Sequence, residues 1–401
     1  MELGNSRSTA SDGEDYLELN NSENRTSRHI QVITSVSEFV KLKHVWDELA
    51  FRVPTYSPFL SHDWFELWLK RFLKNDQLLI ILVNEENETL TIAPFVTKKI
   101  RLNGINVRKV ELIGNIYSPI RNFILGKLDN RAKEGNLKDV FAYLLKAHKK
   151  WDIIDLNSIP EEDGGFDLLK RVVQETNFNY REYFCFGNWF LDGINYSGEE
   201  YLMRRPGNIR ENVPYRIRKL KRIGNLDFRV VKDNESIDYY MDLYYDLYAK
   251  SWQEMERTDP TFHRELARVA ATNGWLRMGF LFFNGSPIAC QFWICENHYA
   301  YILKLFYDQN YEKYAPGKIL AAEMMKYVID IDKVTTIDYL HGDDSYKKDW
   351  TPKRRERKGI RIYGKTIKGR YLNLLDNKIL PIVNKNEKLR KLKGIIANRL
   401  R

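Results

Sequence analysis

The chain has 401 residues, 43% of them apolar, with 64 Lys and Arg against 54 Asp and Glu for a formal net charge of +10. The apolar share supplies cores for roughly two or three domains and excludes a disordered chain, and three scattered cysteines (Cys185, Cys290, Cys295) exclude a disulfide framework or a thiolate zinc site. The positive surplus predicts anionic partners without choosing among phosphorylated cofactors, nucleic acid and anionic lipid.

Residues 1–29 are rich in Ser, Asn and Glu and read as a disordered tail without the apolar segment of a signal peptide. No apolar run approaches the ~20 residues that cross a bilayer, so the expected location is the cytoplasm. Structure is expected to begin with a strand at Ile30–Ile33. A helix over 37–49 carries Phe39, Leu42, Val45, Trp46 and Leu49, and a second over 61–73 has Ser61 as N-cap with Trp64 and Trp68 as core. A hairpin (78–83 and 89–97) and a third strand (108–113) follow. The loop 115–122, with Tyr117, Ser118, Pro119 and Arg121, reads as a connection or as a crevice wall. Then come a strand at Phe123, a helix (138–148), a strand (152–156) and a helix (166–176).

The second half repeats this order. Helices over 239–253 and 260–272 precede a hairpin (276–283 and 288–295), a strand (299–307), a helix (319–329) and a strand (335–340). The repetition predicts a duplicated α/β architecture with a cleft between the halves, divided as 30–196 and 197–365. Between the halves, Arg216, Lys219 and Arg222 form one face of a basic helix, read as solvated surface or as a phosphate clamp. The turn Tyr314-Ala315-Pro316-Gly317-Lys318 before Ile319 opens a helix, where unpaired N–H groups favour a diphosphate; a plain βαβ crossover is the alternative. After the last strand, His341-Gly342-Asp343-Asp344-Ser345-Tyr346-Lys347 lies where open α/β sheets place their ligands. Asp343 is read as base and Tyr346 as acid, with Asp344 beside them, and turn formation around Gly342 is the equal alternative for the two aspartates; Lys347 and Lys304 are read as substrate ligands and Trp252 as packing or substrate contact. No His-Glu-x-x-His pair occurs, so no metal is expected. Residues 366–401 form a basic helix or tail, with Leu389, Leu392, Ile395, Ile396 and Leu400 at helical spacing, suited to peripheral contact with the inner face of a membrane.

Several of these residues carry a family resemblance. The run Ile302–Leu320 with Lys304, Phe306, Tyr307-Asp308, Tyr311, Tyr314 and Pro316-Gly317, then His341-Gly342-Asp343 and Tyr346-Lys347, resembles the second domain of CelD-like (BioF-like) proteins of the GNAT superfamily, relatives of the FemAB transferases. Phe59-Leu60-Ser61-His62-Asp63-Trp64, Ile92-Ala93-Pro94-Phe95, the basic helix Arg210–Arg222 and Ser251-Trp252 agree, over about residues 31–365. The resemblance implies a tandem pair of GNAT-like domains. It implies acetyl-CoA or another acyl-CoA as donor, its pantetheine in the splay between 299–307 and 335–340 against Leu305, Phe306 and Tyr307, and its diphosphate at Tyr314, Ala315, Gly317, Lys318 and Ile319. The turn has one glycine, Gly317, where GNAT turns have two, which leaves a second donor open.

Three function classes follow. The first is an acyl-CoA-dependent N- or O-acyltransferase acting on a sugar, sugar nucleotide or envelope polysaccharide precursor. The second is a FemAB-like transferase using aminoacyl-tRNA, whose backbone would suit the basic charge. The third is a non-catalytic nucleic-acid-binding module, which lacks a recognition motif.

Overall fold

Periodicity in the sequence becomes regular structure over most of the chain, and the departures are informative. The computed structural model describes residues 17–18, 28–53, 56–147, 149–252 and 261–385. Strands β1 (Leu17–Glu18) and β2 (Arg28–Ile33) lead to α1 (Val36–Lys41) and α2 (Lys43–Phe51), two helices where one is expected. Ser35 and Glu38 form a capping box at the start of α1, and the break falls at Leu42, whose N–H closes on Phe39 O. Helix α3 (His62–Phe72) starts as read, the Ser61 hydroxyl accepting from the Trp64 N–H at 3.2 Å. Trp64 and Trp68 are both core. The half continues with β3 (Gln77–Glu85), β4 (Glu88–Leu102), β5 (Ile105–Leu112), β6 (Ile124–Leu125), α4 (Asn130–Lys146), β7 (Ile153–Ile159), α5 (Gly165–Gln174) and β8 (Tyr180–Leu191).

Helices α6 (Gly198–Met203), α7 (Gly207–Arg210) and α8 (Asn212–Lys221) connect to β9 (Leu226–Val231). Then follow α9 (Ile237–Ala249), α10 (Phe262–Thr272), β10 (Leu276–Phe283), β11 (Ser286–Glu296), β12 (Tyr299–Tyr307), α11 (Pro316–Asp330), β13 (Thr336–Asp338), α12 (Lys347–Trp350) and β14 (Lys353–Tyr363). Helices α13 (Ile367–Leu374) and α14 (Leu380–Lys385) flank a π-helical turn. The turn is docked rather than solvated: buried Asp376 accepts from Arg361 (2.9 Å) and the Tyr363 hydroxyl (2.8 Å). The tail expected at 1–29 lies largely outside the described residues, as do all five apolar positions of the basic helix beyond 385.

The strands form one mixed sheet in the order β1-β2-β3-β4-β5-β7-β14-β8-β13-β12-β11-β10-β9, with β6 on β4. The order is a palindrome of two similar halves. Their last strands are exchanged, so β14 pairs with β7 of the first half and β8 with β13 of the second. The parallel pairs correspond too. Lys109, Val110 and Glu111 of β5 face Ile153, Ile154 and Asp155 of β7, and Tyr299, Ala300 and Tyr301 of β12 face Thr336, Ile337 and Asp338 of β13. Helices cover both faces, and one core runs across the halves, where Phe262 of α10 packs on Trp64, Phe72 and Tyr117, the last stacked at 4.4 Å.

Strands β8 and β14 are absent from the sequence reading, β8 because it lacks a clean alternation of apolar with polar and β14 because its alternation is confined to Ile360-Arg361-Ile362 after a run of charges. Strand β14 opens Lys353-Arg354-Arg355-Glu356-Arg357-Lys358, yet Arg357 is 1% exposed. Glu162 makes this burial tolerable by pairing with both Arg357 and Arg355, the latter at 2.5 Å. Burial alone would raise the Glu162 pKa, but the two guanidiniums outweigh it and hold the carboxyl below its ordinary value. Stability from a depressed carboxylate is present above the unfolded value and lost as pH falls through the folded one. The chain is therefore expected to lose stability below about pH 4. Glu162→Gln should remove ~3 kcal/mol in urea denaturation by stranding buried Arg357. A loss under ~1 kcal/mol would mean that Arg357 is satisfied some other way. Because each half contributes a strand to the other, a single urea transition is expected in place of two.

Candidate active site

Strands β12 and β13 pair over only three residues before diverging, and β12 runs on to Tyr307 while the other chain turns away. The turn is enforced at Leu340, a non-glycine residue at φ +53°, a conformation costing ~1–2 kcal/mol. Its N–H donates to Asp338 Oδ1 (2.6 Å), and its carbonyl accepts from Asn188 Nδ2 (2.8 Å), which also donates to Asp338 Oδ1. Asn188 Oδ1 accepts from Arg355 (2.6 Å) and Arg357 (3.3 Å). A first-half residue thus holds the end of a second-half strand. On the other side of the splay, Phe292 faces Lys304 and Trp293 faces Ile302, which bulges Leu303 out of the ladder.

A cavity of about 270 Å³ opens here. Its walls come from the β12 bulge (Ile302, Leu303, Lys304), the end of β13 (Tyr339, Leu340, His341), α10 (Phe262, His263) and the first-half loop at Tyr117. The loop is therefore a crevice wall as well as a connection. His341 stands at the mouth with Phe186 over its ring at 4.3 Å. Partial burial and then the Lys347 ammonium lower its pKa, so the imidazole is neutral at pH 7 and able to accept a proton. Tyr339 is buried, and burial pushes its phenol well above the ordinary value, so it stays protonated.

The residues singled out from sequence fall in three places. Lys304 lines the cavity. Asp343 lies outside it, in a two-pronged ion pair with Arg354 (2.8 and 2.6 Å) and accepting from Trp189 Nε1 (3.0 Å). The Arg354 hydrogen bonds hold its carboxyl below the ordinary range, against the needs of a base. Asp344 is exposed and pairs with Lys347 at 3.0 Å. Lys347 is buried, and its three donors go to His341 O, Gly342 O and Asp344, so it braces the turn and has none left for a phosphate. Tyr346 stands behind the wall, edge-on to Tyr339 at 6.3 Å.

The third place is the turn before α11. Ala315 is left-handed (φ +52°), Pro316 has no N–H, and the Lys318 and Ile319 N–H groups both return to Ala315 O. Gly317 thus presents the outward N–H, fewer donors than the sequence suggested. A Cβ on Gly317 would lie 3.0 Å from the Tyr307 ring, which also contacts exposed Trp252 at 4.5 Å. Leu305 packs against the second-half core, and Phe306 and Ile319 are buried in it, so these offer backbone rather than side chain. Arg216 reaches Lys313 O, Lys219 lies over the Tyr314 ring at 5.7 Å, and Lys318 is exposed, a cationic rim around the turn. His263, Tyr339 and His341 escaped the sequence reading as site residues. Only His341 had a signal, its place at a strand end in a His-Gly-Asp turn, whereas a histidine among aromatics, like His263, reads as core.

Residues 207–348 match the family described as the acetyltransferase (GNAT) domain. Among solved structures, FemX is 12% identical with a TM-score of 0.57, over 84% of this chain and 98% of that one. The C-terminal domain of an Agrobacterium fabrum protein provisionally named lysylphosphatidylglycerol synthetase is 10% identical with a TM-score of 0.50, over 85% and 97%. At these identities the likeness is one of fold. A sequence comparison with curated proteins finds no match.

Asn188→Ala is expected to leave Asp338 and the Leu340 carbonyl short of a donor and to shift His341. A displacement of this kind costs ~10²-fold in turnover, measured alongside circular dichroism to verify folding. Unchanged turnover would show that Asn188 does not set the site.

Proposed function

We propose that this chain, an acyltransferase with a GNAT domain at residues 207–348, transfers an acyl group to an amine or hydroxyl bound in the 270 Å³ cavity, with His341 as base. The observation that carries the reading is an imidazole in the wall of a cavity beside a bulged strand, at the mouth of a splay whose other end is ringed by cations. The acceptor loses its proton to His341 as it attacks the acyl carbon. The carbonyl oxygen becomes an oxyanion, for which the N–H of Leu303, skipped in the ladder and lining the cavity, is the proposed donor. Collapse breaks the bond to the leaving group, which takes up the proton from the His341 imidazolium and returns the ring to its neutral form; Tyr339 and Tyr346 back the wall beside it. Asp343 then orients the turn through Arg354.

An acyl-CoA donor fits the turn at Gly317, where Arg216, Lys219 and Lys318 meet a diphosphate. The acceptor side, formed with first-half residues, suits a sugar-nucleotide or envelope precursor. An aminoacyl-tRNA donor is the second reading, favoured by the likeness to FemX and by a cationic rim wider than one diphosphate needs. Residues 30–196 and 197–365 are proposed as the two domains, and peripheral contact of the basic C-terminus with the inner membrane face goes with an envelope acceptor. No helix among the described residues is long and apolar enough to cross a membrane.

Because the His341 pKa lies below the ordinary ~6.5, the rate should rise with pH through a midpoint beneath that value and level off by neutrality. His341→Gln should lower kcat ~10²- to 10⁴-fold and remove the limb. A limb centred above pH 7, or one surviving the substitution, would reject the base. For the donor, acyl-CoA should raise Tm, and the Arg216→Ala, Lys219→Ala double variant should weaken that rise. Tight tRNA binding that persists above about 0.15 M salt and collapses in the double variant would favour aminoacyl transfer instead.

A further inference from the structure

The first turn of α3 carries an arrangement that the transfer chemistry does not use. The His62 ring is fully buried, stacked on Phe39 at 4.1 Å with the planes 5° apart. Its Nε2 lies 3.0 Å from Phe39 O, and a carbonyl can only accept, so Nε2 carries the hydrogen. In the neutral ring Nδ1 is then a bare lone pair, buried and without a hydrogen-bond partner. Such an atom is costly unless something binds it. Nδ1 points at Glu66, whose nearest oxygen is 3.7 Å away, too far for a hydrogen bond. One ligand atom each from His62, Asp63 and Glu66 lies within 4.8 Å of the others.

We propose that His62 Nδ1, Asp63 and Glu66 form a binding site for a divalent transition-metal ion of the zinc class, with a fourth position open to water. One imidazole nitrogen and two carboxylates suit zinc, with bonds of ~2.0–2.2 Å, and a ring held through its other N–H by a carbonyl is the usual outer support of a ligating histidine. Glu66 has only a few tenths of an ångström to close on Nδ1, whereas ligand atoms that now lie up to 4.8 Å apart must draw in by roughly 1 Å to sit on one tetrahedral ion. Glu66, half exposed, is free to swing, and it borders an open cavity of about 410 Å³ that gives access. Charge favours a cation. Asp47, which accepts from the backbone N–H of His62 at 2.9 Å, joins Asp63 and Glu66, while Lys43 is the cation on Asp63 and Asp47. Three carboxylates against one ammonium leave two negative charges. Lys70 and Arg268 also line the cavity, but Lys70 is engaged with Glu265 (3.5 Å) and Arg268 with Asp238 (2.6 Å). Asp63 also accepts from Asn273 just past the end of α10 (3.1 Å), so an ion here fastens α3 to the helix that bears Phe262 and His263.

The test is calorimetric titration of untagged, EDTA-stripped full-length protein with Zn²⁺, with bound metal counted by plasma mass spectrometry. One equivalent is expected to bind and raise Tm. Glu66→Gln, at a half-exposed position, should keep the metal-free Tm and weaken binding more than ~10-fold. Asp63→Asn should do likewise, and Lys43→Met, which removes the competing ammonium, should tighten binding. Absence of stoichiometric binding, or wild-type affinity in Glu66→Gln, would overturn the site.

Discussion

Two arginines on one interior strand have to be neutralised, and the sheet is arranged around that requirement. Arg355 and Arg357 lie on β14 in the middle of the sheet, where an unpaired charge would be prohibitive. Their partners come from three other places: Glu162 from the turn after β7, Asn188 from β8 and Asp338 from β13. Two belong to the first half and one to the second. The network satisfies its charges only when both last strands are exchanged, which gives the exchange its specificity as well as its cohesion. A second set repeats the logic farther along β14, where Arg361 pairs with Asp155, the residue matching Asp338 in the other half, and with Asp376.

The same network shapes the chemistry. Asn188 joins the guanidiniums to Asp338 and to the left-handed Leu340, and the next residue is His341. The splay that opens the cavity is therefore made by a strand held short on one side and a bulged strand running on at the other. The cavity itself belongs to neither half, since α10 and the β12 bulge supply one side and the loop at Tyr117 the other. The first half has the same three-residue parallel pair but a different lining, with Glu111 held by Lys98 and Lys109 where the second half has Tyr301.

Charges near the site serve mostly to brace it. Asp343, Asp344 and Lys347 spend their bonding capacity on Arg354, on one another and on turn carbonyls. Burial, with the Lys347 ammonium beside it, lowers the His341 pKa, and burial raises that of the Tyr339 phenol two residues earlier.

By itself the sequence determined the elements whose side chains alternate or recur with helical period, because local periodicity follows directly from which face is buried. Strands β10 and β12 fall where their apolar runs lie, Ser61 caps α3, the repeated order of elements marks the duplication, and the motif from Ile302 to Lys347 lies within the stretch that matches the acetyltransferase (GNAT) domain. The tertiary structure alone decided the rest, because it depends on partners distant along the chain. Strand β14 gives no strand signal in its charged first half, and it is Glu162, Asn188 and Asp338 that pair its arginines. Asp343 reads as a base until Arg354 folds against it. His341 reads as part of a turn until Phe186, Lys347 and a wall from the other half set its surroundings. A charge in a sequence has no fixed role, since its energy is set by what lies within a few ångströms, and that is known only once the chain has closed.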